Sequence, residues 1–113
     1  MQYRKLGRTG LEVSALGLGC SGLGGVFGDM PEQDAIRTVH AAFDLGVNYL
    51  DTAPLYGFTK SEAVVGKALR GIARDRYFIS SKVGRYSFTD SDFSYGRVKQ
   101  GLEESLGRLG CEY

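Results

Sequence analysis

Apolar residues change their spacing along the chain in a repeating way. Three short, strand-like runs, Ala15–Gly19 ("ALGLG"), Val47–Asp51 ("VNYLD") and Tyr77–Lys82 ("YFISSK"), are each followed by a loop and a longer stretch with helical spacing. In the first of these stretches, Glu32–Leu45, Ala35, Val39, Ala42 and Phe43 fall on one face with Ile36 alongside, and Gly46 closes the helix. Asp29 is the expected cap, with Pro31 in the first turn. The second helix is expected over about Ser61–Arg70, where Thr59 and Glu62 have capping-box spacing and Gly71 ends the pattern. The third runs from Tyr95 to Leu109, capped by Ser94 and stopped by Gly110, with Val98, Leu102, Leu106 and Leu109 as its buried stripe. Ahead of all three, "QYRKL", "GRTG" and "LEV" read as a β-hairpin around a glycine-bounded turn.

Three strand–loop–helix units in succession predict an α/β fold, with a parallel sheet and helices packed on it. A doubly wound sheet and the start of a (β/α)8 barrel both satisfy that pattern. Three strands cannot close a barrel, and their unpaired edges invite self-association. The chain stops at "LGCEY", just after a helix, where a fourth strand is due, so the ending reads as a cut.

Composition narrows the function classes. The length, 113 residues, suits one modest domain, and 42% hydrophobic with 24% charged residues is ordinary for a globular protein. A net charge of +1, with dispersed basic residues, argues against nucleic acid or an anionic membrane surface as partner. The N-terminus lacks the apolar core of a signal peptide, and no run approaches membrane-spanning length. Cys20 and Cys111 have neither metal-ligand nor redox-pair spacing, which fits a reducing compartment and a cytoplasmic location.

The segment Gly17–Gly22, "GLGCSG", has the G-x-G-x-x-G spacing of a dinucleotide-binding fingerprint. That fingerprint needs a helix to start at its third glycine, so that free N–H groups hold a pyrophosphate. Gly22 is followed instead by "LGGVFGDMP", too rich in glycine to begin a helix. The segment is therefore expected to be a flexible loop that approaches something closely or simply turns.

Three polar residues gather at the C-terminal ends of the predicted strands, the end where parallel βα folds bind ligands. Asp51 ends the second strand, Lys82 ends the third, and Tyr56 lies in the loop after Asp51. Adjacent strands lie about 4.8 Å apart, so Asp51 and Lys82 can pair. A lysine kept charged in this way favours a tyrosinate over a phenol, which equips Tyr56 to exchange a proton with a carbonyl or alcohol oxygen. The alternative for Asp51 and Lys82 is a purely structural ion pair. His40, the only histidine, falls within the first helix, far from the strand ends, as an ordinary helix residue.

"NYLDTAPLYG", "SEAVVGKAL" and "FISSKVG", in this order, resemble the early motifs of the aldo-keto reductase superfamily, and the opening hairpin and "ALGLGCSGLG" look like that family's beginning. The resemblance implies that residues 1–113 are the N-terminal portion of an aldo-keto reductase barrel domain: the first three βα units of a (β/α)8 TIM barrel, preceded by a hairpin closing its bottom. It also implies NADP- or NAD-dependent interconversion of a carbonyl (aldehyde, ketone or sugar) and an alcohol. Tyr56 would be the acid/base, Lys82 the group tuning it, and Asp51 the lysine's partner and a neighbour of the nicotinamide ribose. Gly19, Cys20 and Ser21, in the loop after the first strand, would touch the nicotinamide end of the cofactor. The family's catalytic histidine ends a fourth strand, and its main phosphate and adenosine contacts come from the last units; neither falls within these residues. The segment from Lys82 to Tyr113, with "GRY" and "SDFS", is similar to sugar dehydrogenases of the L-galactose dehydrogenase type. A second reading is a truncated, non-catalytic chain of this type that acts as an interaction module or is a remnant.

Overall fold

A computed structural model describes residues 1–113. Tyr3–Lys5 (β1) and Glu12–Ser14 (β2) form the expected antiparallel hairpin, with Tyr3 opposite Ser14. Leu18–Gly19 (β3), Tyr49–Asp51 (β4) and Phe78–Ser80 (β5) follow as a three-stranded parallel sheet in chain order. The helices are Glu32–Asp44 (α1), Lys60–Ala68 (α2) and Tyr95–Leu109 (α3). β3 and β5 each pair on one side only, so the sheet has two open edges and does not close into a barrel.

The period of two along each strand separates the two faces of the sheet. Leu18, Leu50 and Ile79 lie side by side in register and pack toward the helices, Leu50 being fully buried. The core on that side adds Cys20, Leu23, Ala35, Val39, Val64, Val65 and Leu109. Tyr49, Asp51, Phe78 and Ser80 alternate with these residues and are only partly buried. The hairpin is tied to the residues that lead into β4. Ser14 N donates to Asn48 Oδ1 (2.7 Å), Asn48 N donates to Ser14 Oγ (3.1 Å), and the Tyr3 hydroxyl donates to the Gly46 carbonyl (2.8 Å). It therefore sits at the N-terminal end of the sheet, opposite Asp51.

Several helix details differ from the sequence expectation. Pro31, not Asp29, occupies the N-cap position of α1, with no side-chain cap bond. Asp29 is two residues further out, and Glu32 and Asp34 supply the negative charge that favours the first turn. The capping box at α2 does not form: Thr59 has φ 75°, outside the extended region a capping side chain needs, and Glu62 turns inward. Ser94 does cap α3, its Oγ accepting from Arg97 N at 3.4 Å.

The buried line of α3 is Gly101, Ser105 and Leu109, while Leu102 is 52% exposed. Close approach decides this face, not apolarity. A side chain on Gly101 would collide with the Tyr86 hydroxyl, and one on Gly66 of α2 would collide with the Arg108 carbonyl. Small residues let the two helices and the Tyr86 ring meet at backbone distance.

Candidate active site

β4 and β5 carry Asp51 and Ser80 as register partners at their last positions, so both side chains emerge on the same face of the sheet. Two residues further on, Lys82 returns to that face. Ser80 Oγ donates to Asp51 Oδ2 (2.6 Å), and Lys82 Nζ donates to Asp51 Oδ1 (2.7 Å) and to the Thr52 carbonyl (2.9 Å). The same ammonium lies 4.9 Å from the centroid of the Tyr56 ring. Asp51, Tyr56 and Lys82 thus form one cluster at the C-terminal end of the sheet.

Burial alone would raise the Asp51 carboxyl, but hydrogen bonds from Lys82 and Ser80, and the lysine's charge, outweigh it and hold the carboxyl below its ordinary value. For Lys82, burial works to lower the ammonium, and interactions with Asp51 and Tyr56 outweigh it, so the group titrates above its ordinary value. The two partners shift in opposite directions, and the pair stays ionised across the neutral range. Both side chains are nearly half exposed, so the pair contributes little to stability, and its consequence is a fixed positive charge beside Tyr56.

The glycine-rich loop finds its partner here. Gly22–Gly24 is a single 3-10 turn with no α-helix behind it, as the glycine content predicts. A Cβ on Gly24 would lie 2.8 Å from the Tyr56 carbonyl oxygen, and one on Gly57 would fall well inside contact distance of the Gly24 carbonyl. The close approach is therefore between this loop and the Tyr56 loop, backbone against backbone. Gly57, Phe58 and Thr59 all have positive φ (62°, 50° and 75°), a tight left-handed run held by the bond from Thr59 N to the Pro54 carbonyl (2.7 Å). Fully buried Ser61, at the start of α2, joins the two loops: its Oγ donates to the Cys20 carbonyl (2.7 Å) and pairs with Thr52 Oγ1 (2.9 Å).

The residues expected to meet a cofactor separate into two kinds. Gly19 is the register partner of Asp51, is exposed, and has open space where a Cβ would be. Ser21 is half-buried. The Cys20 side chain faces the core with its Sγ against the Leu18 carbonyl, and its thiol is pushed up to about 12, first by burial and then by the Asp51 carboxylate. Cys20 therefore offers a ligand nothing: the residue is fully buried, its N–H donates to the Asp51 carbonyl (2.8 Å), its carbonyl accepts from Ser61 Oγ (2.7 Å), and its thiol is neutral. A bare glycine backbone beside a carboxylate suits a flat ring and a ribose hydroxyl, so the residues fit the nicotinamide end of such a cofactor. The cluster's one cation, Lys82, is committed to Asp51 and Thr52, so the fit does not extend to phosphates.

His40 lies on the outer helices, its Nε2 2.8 Å from the Ala68 carbonyl, well away from the cluster. Sequence reasoning missed Glu62, Ser80, Thr52 and Ser61. The polar text "SS" before Lys82 and the period of two were the available signal for Ser80; a buried role for Glu62 was masked by its capping-box spacing.

Residues 15–113 match the model of the Aldo/keto reductase family. The chain is 48% identical over its whole length to L-galactose dehydrogenase of Arabidopsis thaliana, of which it spans 36%. Over 96% of the chain, it is 46% identical to pyridoxal 4-dehydrogenase of Microbacterium luteolum, spanning 40% of that protein. The fold superposes with a TM-score of 0.86 on an aldo-keto reductase from Bacillus halodurans in its holo form, at 36% identity, covering all of this chain and 38% of that one. The sheet, the hairpin below it and the matched motifs place this chain in the aldo/keto reductase family.

Proposed function

We propose that residues 1–113 form the N-terminal portion of the barrel domain of an NAD(P)-dependent oxidoreductase, and that they carry its proton-transfer centre. The reaction is the interconversion of a carbonyl, in an aldehyde, ketone or sugar, and the corresponding alcohol. The observation that carries this reading is the Lys82 ammonium, bonded to Asp51 at 2.7 Å and lying 4.9 Å from the Tyr56 ring centroid at the ligand-binding end of a parallel sheet.

In this mechanism Tyr56 gives its hydroxyl proton to the carbonyl oxygen during reduction and takes one from the alcohol during oxidation. Lys82 stabilises the negative charge that the phenol oxygen acquires, and Asp51 holds Lys82 charged and in place. Gly19, Ser21 and Asp51 hold the nicotinamide end of the cofactor, NADP or NAD, which supplies or accepts the hydride when bound. A sugar is the favoured substrate class, because the chain is similar to an L-galactose dehydrogenase throughout. The interaction-module alternative is not favoured, since similar proteins are named as dehydrogenases.

The setting belongs to the same proposal. Both cysteines are free, as in a cytoplasmic protein, and no helix is long and apolar enough to cross a membrane. A small-molecule carbonyl or sugar substrate is in keeping with the family, the near-neutral charge gives no support to a nucleic-acid or anionic-membrane partner, and the open sheet edges are where copies of the chain alone would associate.

The test is to supply the full-length protein with a panel of aldoses, simple aldehydes and their alcohols, each with NAD and with NADP, and to follow nicotinamide absorbance. Turnover of at least one sugar or aldehyde is expected. A folded, cofactor-binding protein that turns over none of them would count against the proposal.

A further inference from the structure

Lys82 lies beyond the last residue of β5, and there the sheet stops holding the chain. The final ladder bond is from Thr52 N to the Ser80 carbonyl (2.9 Å), and Ser81, Lys82 and Val83 make no backbone–backbone hydrogen bond. What fixes this segment is its side chains, which alternate. Ser80 and Lys82 point to Asp51 on one face, while Ser81 points the other way, its Oγ donating to Glu62 Oε1 at 2.6 Å.

Glu62 is fully buried, a costly place for a carboxylate unless every oxygen is bonded. Its second oxygen, Oε2, accepts from Arg108 Nε of α3 at 2.7 Å, and Arg108 also donates to the buried Ser105 Oγ at 3.2 Å. One side chain of α2 therefore holds the segment that carries Lys82 and anchors that hold to α3.

We propose that Glu62 is a positioning residue for Lys82, acting through Ser81. It fixes the backbone from the helix side while Asp51 fixes the ammonium from the other, so that the charge stays over Tyr56. This rests on the proton-transfer reading of Tyr56 and Lys82 given above.

Ser81→Ala in the full-length protein isolates the effect, because it removes one hydroxyl and leaves the Glu62–Arg108 pair intact; Glu62→Gln disturbs that buried pair and risks misfolding, so it is secondary. Ser81→Ala is expected to lower kcat at least about tenfold, within the ~100-fold that a misplacement of about 1 Å costs a positioned group, while KM and cofactor affinity stay near wild type; the melting temperature falls as well, because the buried Glu62 Oε1 loses its one donor. Ser81→Thr, which keeps the hydroxyl, is expected to restore kcat. Tyr56→Phe is measured beside them. If Tyr56→Phe is inactive and Ser81→Ala has full kcat, the positioning role is overturned and the proton-transfer centre stands. If Ser81→Ala loses kcat and Ser81→Thr does not recover it, the Glu62 bond is not the cause and the proposal also fails. If Tyr56→Phe itself retains wild-type kcat, the proton-transfer reading fails and takes the positioning role with it.

Discussion

Tyr56→Phe in the full-length protein is expected to lower kcat by about 10²- to 10⁴-fold, the range over which a positioned acid or base contributes. The substitution removes one oxygen and keeps the ring, so the rest of the loop has no reason to move. The Tyr56 backbone is held independently of the hydroxyl: its carbonyl accepts from Ser61 N at 3.2 Å and its N–H donates to the Ala53 carbonyl at 3.1 Å. The residues proposed for the nicotinamide end, Gly19, Ser21 and Asp51, do not depend on the phenol either. Cofactor affinity is therefore expected to stay within about twofold of wild type, so that the loss falls on the chemical step alone. Steady-state kinetics with a cofactor titration by fluorescence separates the two.

Gly57→Ala is expected to destabilise the protein by about 2–4 kcal/mol, through overpacking and a strained backbone together. Gly57 has φ 62°, and its Cβ would be driven into the Gly24 carbonyl of the neighbouring loop. Neither side can yield easily, because Ser61 ties the Cys20 carbonyl to the start of α2 and the Thr59 N–H is bonded back to Pro54. Since Gly57 follows Tyr56 directly, turnover is expected to fall with stability. Gly10→Ala in the hairpin turn is the control. There φ is 79°, but nothing beyond its chain neighbours lies within 4 Å of where a Cβ would stand. Only the left-handed backbone cost of about 1–2 kcal/mol then remains. Urea unfolding of the two variants measures the difference, which is the steric part of the Gly57 effect. Equal losses in both would mean the two loops do not constrain each other.

The fold was legible where it depended on period. Short strand-like runs between the helical stretches located all three parallel strands, and helical spacing located α1 and α3 to within a residue of their ends. Long-range packing was less visible. Glu62 had the spacing of a local cap, yet a bond to Arg108, 46 residues away, draws it inside. Nothing within a single helix records such a partner. The same holds for α3, whose apolar text marked Leu102 while the surface that packs is Gly101 and Ser105, chosen for smallness. Asp51 and Lys82 were legible because parallel strands in sequence bring their ends together, and the bond between them needs no other information. Cys20 shows the limit of that logic: its position in the loop suggested a ligand contact, but the loop's turn sends the thiol into the core.

In the mechanism proposed, the ammonium at position 82 makes Tyr56 an acid and base, and chemical rescue probes that role without an intermediary. Lys82→Ala leaves a gap where a side chain 48% exposed used to lie, wide enough to the solvent for a small amine to enter. In the full-length variant kcat is expected to fall about 10²-fold or more, with the melting temperature little changed because the lost ion pair lies at the surface. Added ethylammonium is expected to restore turnover in a saturable way, whereas tetramethylammonium, which cannot donate to Asp51 and the Thr52 carbonyl, is not. Wild-type kcat in Lys82→Ala without any amine would contradict the role given to Lys82.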